Sequence, residues 1–205
     1  MVLPIIAIVI SYLLGSVSFS VVIAKWMKGI DIRQHGSGNA GATNTLRVLG
    51  KGPAIGVLAL DVLKGMGAVW LGKWLGADNG WIPVLCGIAA IVGHNWPIYF
   101  RFKGGKGIAT TIGVMATLSF LPALFAGIIA ILSIVFTRYV SLGSLLFTGL
   151  LPIFIVLLGR PWEVFWASLL LCLFAFVRHR SNIVKIVQGK ENKIGSKQKG
   201  ERRVV

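Results

Sequence analysis

Apolar residues run in long blocks, and the charges sit in the gaps between them. Residues 1–24 carry no charge. Residues 53–72 form a second block, interrupted only by Asp61 and Lys64, and Trp81–Phe100 is a third. Residues 108–137 follow with no charge, then 140–158 and 162–177. A membrane-crossing helix needs about 20 mostly apolar residues, so each block predicts at least one span. The first block lacks a basic n-region and a small-x-small cleavage site, which argues against a removable signal peptide.

The fourth block decides the topology. As one helix it would be about 45 Å long, too long for about 30 Å of hydrocarbon. Broken near Ser119–Phe120–Leu121–Pro122, it gives two short helices of about 22 Å each. Loop charges favour the break. With seven spans and the N-terminus outside, eighteen basic residues fall on the inner side, and only Lys73 and Arg160 fall on the outer side. With six, the basic C-terminal segment would lie outside, against the positive-inside rule. The expected fold is therefore an all-α integral membrane protein. It is a bundle of seven transmembrane helices with the N-terminus outside, the C-terminus cytoplasmic, and short, tilted fourth and fifth spans. Residues 1–189 read as one membrane domain, and 190–205 as a basic, disordered cytoplasmic tail.

Composition agrees. The 205 residues are 56% hydrophobic and 13% charged, whereas soluble domains carry about 25% charged residues. That excludes a soluble globule, and the same numbers exclude a disordered chain. On a soluble protein the net charge of +15 would suggest nucleic acid. Here it reports membrane orientation and attraction to anionic lipid, and no nucleic-acid partner is expected. Cys86 and Cys172 lie in apolar runs without a CxxC pair, so neither a disulfide framework nor a zinc site is expected.

Three inner segments carry the candidate chemistry. The first is Gly36-Ser37-Gly38-Asn39-Ala40-Gly41-Ala42-Thr43-Asn44, with Arg47 just beyond. Its glycines and small side chains can expose backbone N–H groups to one anion. A helix starting near Thr43 would add its positive end, and Arg47 could clamp a phosphate bidentately. A plain flexible connection is the competing reading. The second segment is Arg101-Phe102-Lys103-Gly104-Gly105-Lys106-Gly107, which sets Lys106 before a helix start; positive-inside charge explains its cations equally well. In the third, Arg178-His179-Arg180-Ser181-Asn182, the arginines can offset a helix C-terminus. His179 and Asn182, three apart, would share a face of a continuing helix. Ser141 reads as an N-cap, with Ser144 one turn on. Asp61 and Lys64 read as an inward-facing, mutually neutralising pair. His94-Asn95-Trp96-Pro97 reads as an interfacial anchor at a helix end.

No HxxxxD, GxSxG or HExxH pattern occurs, and carboxylates on the inner side are few. This inventory suits moving an already activated group between two anionic molecules by positioning and charge stabilisation. An anion transporter would predict midplane sites and internal symmetry. A non-catalytic lipid-binding protein would leave two anion loops unexplained.

Taken together, GSGNAGATNTLR, PIYFRFKGGKGIAT and RHRSNIVKIVQGKEN resemble the three signature segments of the bacterial acyl-phosphate:glycerol-3-phosphate acyltransferases, the PlsY type. The resemblance covers nearly the whole chain, including YVSLGS before the sixth span. It implies acyl transfer from acyl phosphate to the 1-hydroxyl of sn-glycerol 3-phosphate in the bacterial cytoplasmic membrane. No cofactor or metal is implied, and functional coupling to the enzyme that makes acyl phosphate is expected. It also implies acyl-phosphate binding by Gly36, Ser37, Gly38, Asn39, Gly41, Thr43 and Asn44. Glycerol 3-phosphate would be held by Arg47, Lys106, Ser141, Ser144, His179 and Asn182. Ser37, Arg47, Lys106, His179 and Asn182 would form the catalytic set. Glu191 matches a family glutamate with a structural role. The attacking hydroxyl's proton would go to a substrate phosphate oxygen or to His179, the former being favoured.

Overall fold

The computed structural model describes residues 2–76 and 79–195; residues 77–78 and most of the expected tail, 196–205, lie outside them. The described residues form ten α-helices and no strand: α1 (Val2–Gly15), α2 (Phe19–Lys28), α3 (Ala42–Leu49), α4 (Lys51–Leu75), α5 (Trp81–Asn95), α6 (Ile108–Leu118), α7 (Phe120–Thr137), α8 (Val140–Leu157), α9 (Trp162–Arg178) and α10 (Arg180–Val187). Five segments are long and apolar enough to cross a membrane: Val2–Lys28, Lys51–Leu75, Trp81–Phe100, Phe120–Thr137 and Val140–Leu157. Counting α9 and α10 as one bent pair gives a sixth, and α6 is a shorter apolar helix.

The break near Ser119 is present, but it divides the long block unevenly, into 11 and 18 residues. Gly105 and Gly107 are buried, and Gly105 N–H bonds the His94 carbonyl (3.1 Å) at the end of α5.

The first block departs from the single helix expected over residues 1–24. It breaks at residues 16–18, and α2 then runs on to Lys28. A break inside a bilayer must find partners for the freed backbone groups. Lys64 supplies one by donating to the Val17 carbonyl (2.8 Å). It also pairs with Asp61 (2.8 Å), both side chains being 1% exposed, which bears out the inward-facing pair. His94 joins this cluster, its Nδ1 3.0 Å from Lys64 Nζ. It is therefore buried beside an ion pair rather than anchored at the interface. Replacing Lys64 with methionine strands a buried carboxylate, which costs about 3–5 kcal/mol. Denaturation in detergent is expected to show that loss. Asp61→Asn combined with Lys64→Met should cost less than Lys64→Met alone; an equal or larger cost would contradict the pairing.

Helices pack through small residues, as bilayer packing requires. A Cβ on Gly93 would strike the Tyr12 carbonyl of α1, and one on Gly113 would strike the Val62 carbonyl of α4. The main apolar core joins α4 to α9 through Val69, Ile91, Met115, Phe147, Leu151 and Leu171. Exposed Trp70, Trp74, Trp81, Trp162 and Trp166 lie toward the end where Gly80 meets Glu163, the pattern of an interfacial aromatic belt.

The chain does not leave the bundle at Gly189. Residues 190–195, placed in the tail by composition, return to it. Glu191 is buried, and Ile194 N–H bonds the Arg138 carbonyl (2.9 Å).

Candidate active site

The first segment folds around Asn44, which is 1% exposed in the first turn of α3. Its Oδ1 accepts from the Ser37 N–H (2.8 Å). Its Nδ2 donates to the Ile32 (3.1 Å) and His35 (3.0 Å) carbonyls. Gly36 (φ +61°) lies against this amide, where a Cβ would strike Asn44 Oδ1. Gly38 N–H bonds the His35 carbonyl (3.0 Å), and Gly41 N–H bonds that of Asn39 (3.1 Å). The amides of Ser37, Gly38 and Gly41 thus shape the loop itself. Gly41 caps α3 without a side-chain bond, which leaves the helix-start amides of Ala42 and Thr43 as its open donors. The Ser37 residue is exposed and Asn39 half-buried beside them.

Two arginines pin the second segment. Arg33, paired with Asp31 (2.7 Å), donates to the Phe100 (2.9 Å) and Lys103 (3.3 Å) carbonyls. Its guanidinium holds the Asp31 carboxyl below the usual carboxylate range. From α9, Arg178 donates to the Gly105 (2.7 Å) and Gly104 (3.3 Å) carbonyls and stands over the Trp96 ring. Gly105 is wedged between the His94 ring and the Ala40 carbonyl, both of which a Cβ would strike. At that point the two glycine-rich loops touch. Gly107 (φ +80°) then opens α6, so Lys106 stands at that helix's positive end, as expected. An open cavity of about 390 Å³ between the loops is lined by Arg33, Gly38, Arg101, Lys103 and Gly104, among others.

Lys106 donates to Asn182 Oδ1. Asn182 Nδ2 donates to Glu191 Oε1 (2.7 Å), which also accepts from Ser141 Oγ (3.0 Å). The other carboxylate oxygen, Oε2, is buried without a protein partner among the described residues. Ser141 is therefore not the N-cap of α8, a position held by Tyr139; its hydroxyl serves Glu191. The Ser144 hydroxyl bonds back to the Val140 carbonyl (2.9 Å) of its own helix, outside this network. His179 and Asn182 do not share one continuous helix. His179 lies at a 63° bend between α9 and α10, is 3% exposed and bonds the Ala175 carbonyl through Nδ1 (2.8 Å). That bond assigns the neutral ring's proton to Nδ1 and leaves Nε2 as the acceptor nitrogen.

The site is electropositive. Burial pushes the Lys106 ammonium down to about 8, helped by the charges of Arg178, Arg47 and Lys185 and opposed by Glu191. Burial, together with the charges of Lys106 and Arg178, pushes His179 at the bend down to about 4, against the Ala175 bond. Arg47, half-buried, is lowered by burial, with Glu191 opposing. Among the described residues Glu191 is the carboxylate that faces both Arg47 and Lys106.

Arg33, expected only as inner-side charge, and Arg178, expected only as an offset to a helix C-terminus, both instead hold loop carbonyls. Their order in the chain carries no sign of the carbonyls they reach. Asn44, expected on the acyl phosphate, has both ends of its amide bonded within the loop.

A family model described as "Glycerol-3-phosphate acyltransferase" matches residues 5–189. A protein of that name from Shouchella clausii (strain KSM-K16) is 59% identical, over 96% of this chain and 99% of its own. One from Halalkalibacterium halodurans is 58% identical, over 91% and 93%. A solved structure described as PlsY (YgiH), an integral membrane glycerol 3-phosphate acyltransferase in its glycerol 3-phosphate form, is 39% identical. It superposes with a TM-score of 0.88 over 94% of this chain and 96% of that one. The same enzyme in a lysophosphatidic acid form gives a TM-score of 0.86 at 38% identity, over 94% and 95% of the two chains. The chain is a multi-pass membrane protein belonging to the glycerol-3-phosphate acyltransferase family.

Proposed function

We propose that the protein transfers an acyl group from acyl phosphate to the 1-hydroxyl of sn-glycerol 3-phosphate. The products are 1-acyl-sn-glycerol 3-phosphate and inorganic phosphate, in the first acylation of phospholipid synthesis. The observation that carries this reading is the contact of the two glycine-rich loops at Gly105 and Ala40, which suits a reaction joining two phosphate-bearing molecules. The similar structures bound to glycerol 3-phosphate and to lysophosphatidic acid support the acceptor and the product.

The first loop takes the acyl phosphate. Gly36 and Asn44 hold its shape, while Ser37, Gly38, Asn39, Gly41 and Thr43 line the path to the open amides of α3. Arg47, Lys106, His179, Asn182 and Ser141 take glycerol 3-phosphate; Ser144, three residues beyond Ser141 on α8, has its hydroxyl bonded within the helix. The acceptor's hydroxyl oxygen attacks the acyl carbonyl carbon, and a new C–O ester bond forms. The bond from that carbon to the phosphate oxygen breaks, and phosphate leaves with the electron pair. No enzyme-bound acyl intermediate forms. The hydroxyl proton passes to a phosphate oxygen of the substrates. A phosphate with a second pKa near 6 is the stronger base beside a histidine lowered to about 4.

The same reading places seven spans in the bacterial cytoplasmic membrane, N-terminus outside and active site facing the cytoplasm, with acyl phosphate delivered by the enzyme that makes it. The test is to supply purified protein with acyl phosphate and glycerol 3-phosphate. The expected result is one phosphate released per 1-acylglycerol 3-phosphate formed. Phosphate release without acyl-acceptor product would contradict the proposal.

A further inference from the structure

We propose that Arg138 is a positioning residue for the glycerol 3-phosphate subsite, acting through Glu191; the inference rests on the reading of that subsite given above. Arg138 ends α7 in the left-handed region (φ +64°), a conformation that costs energy for a side-chain-bearing residue. There it grips one residue of the returning C-terminal segment from both sides. Its carbonyl accepts from Ile194 N–H (2.9 Å). Its guanidinium donates to the Ile194 carbonyl through Nε (3.0 Å) and Nη2 (2.6 Å). Beside this clasp the Lys193 ammonium stands over the Tyr139 ring.

The segment so held has its other end at α10, which stops at Val187 and is followed by Gly189 (φ +66°). Glu191 lies between the two ends. Its buried Oε1 gathers Ser141 from the start of α8 and Asn182 from α10, and Asn182 in turn receives Lys106. Arg138 and Ser141 are three residues apart at one corner, where α7 gives way to α8. The clasp therefore sets how far the Glu191 carboxylate stands from that corner. Without it, Ser141 and Asn182 lose a fixed acceptor and Lys106 loses a fixed counter-charge. Among the described residues the Asn44-centred loop shares no hydrogen bond with Arg138 or Ile194.

Steady-state kinetics with both substrates varied separate this role from general stability. Arg138→Ala, which removes the guanidinium grip, and Ile194→Pro, which removes the N–H bonded to the Arg138 carbonyl, are each expected to raise KM for glycerol 3-phosphate about 10-fold, as for one weakened bond to a charged group. KM for acyl phosphate and most of kcat should be retained. Arg138→Lys, able to donate to the Ile194 carbonyl, should recover part of the affinity. Hydrogen exchange across residues 190–195 should quicken in Arg138→Ala and Ile194→Pro. An unchanged KM for glycerol 3-phosphate in Arg138→Ala, or a fall in kcat alone as from fewer folded molecules, would overturn the inference and leave the functional reading standing. Wild-type protein that fails to acylate glycerol 3-phosphate would overturn that reading and this inference with it.

Discussion

Lys106→Met is expected to lower kcat/KM for glycerol 3-phosphate by about 10²-fold. A hydrogen bond to a charged group is worth about 1.5–3 kcal/mol, or roughly 10- to 150-fold. The upper part of that range applies because Lys106 also holds Asn182 and faces the buried Glu191. The lysine's pKa of about 8 makes the effect visible in the wild type as well. Lys106 is cationic below that value and becomes neutral as pH rises through it, so kcat/KM should decline on the alkaline side of about pH 8. On the acid side, glycerol 3-phosphate gains its second charge near pH 6. Lys106→Arg keeps the charge to far higher pH and should abolish the alkaline limb. Kinetics from about pH 5 to 9.5 check both; an alkaline limb unchanged in Lys106→Arg would show that another group is responsible.

His179→Ala is expected to reduce kcat/KM for the acceptor roughly 10- to 150-fold, mostly through KM. The physical ground is the lowered pKa of about 4. The sign follows directly. The ring is neutral above that value and charges only as pH falls through it. At neutral pH it offers a hydrogen-bonding nitrogen but little basicity. The wild type should then show no acid limb near pH 6.5 that disappears in His179→Ala. A general base would behave differently, costing about 10²–10⁴ in kcat when removed. A loss of that size in kcat with KM unchanged would assign the proton to His179.

Local signals made the helices legible. Run lengths located the blocks, an over-long run demanded the break near Ser119, and the i, i+3 spacing of Asp61 and Lys64 put the pair on one face of α4. The helix start expected near Thr43 falls at Ala42, and the one expected just past Lys106 falls at Ile108. The unread features depend on partners far along the chain. No property of residues 1–24 announces that Lys64 will satisfy the Val17 carbonyl, so the break there looked like continuous helix. Residues 190–195 looked like tail because they are polar, yet they are held by Arg138, more than fifty positions away. The resemblance places Asn44 on the acyl phosphate by its position in the motif, and no local signal announces that its amide will complete the loop.

Under the proposed function the first loop receives an activated acyl group carried on phosphate, so donor choice decides between that role and a purely structural one. Purified protein would be given glycerol 3-phosphate with either acyl phosphate or acyl-CoA bearing the same chain, and 1-acylglycerol 3-phosphate would be counted. Turnover with acyl phosphate and no appreciable turnover with the thioester is the predicted result. Comparable rates with both donors would contradict the account.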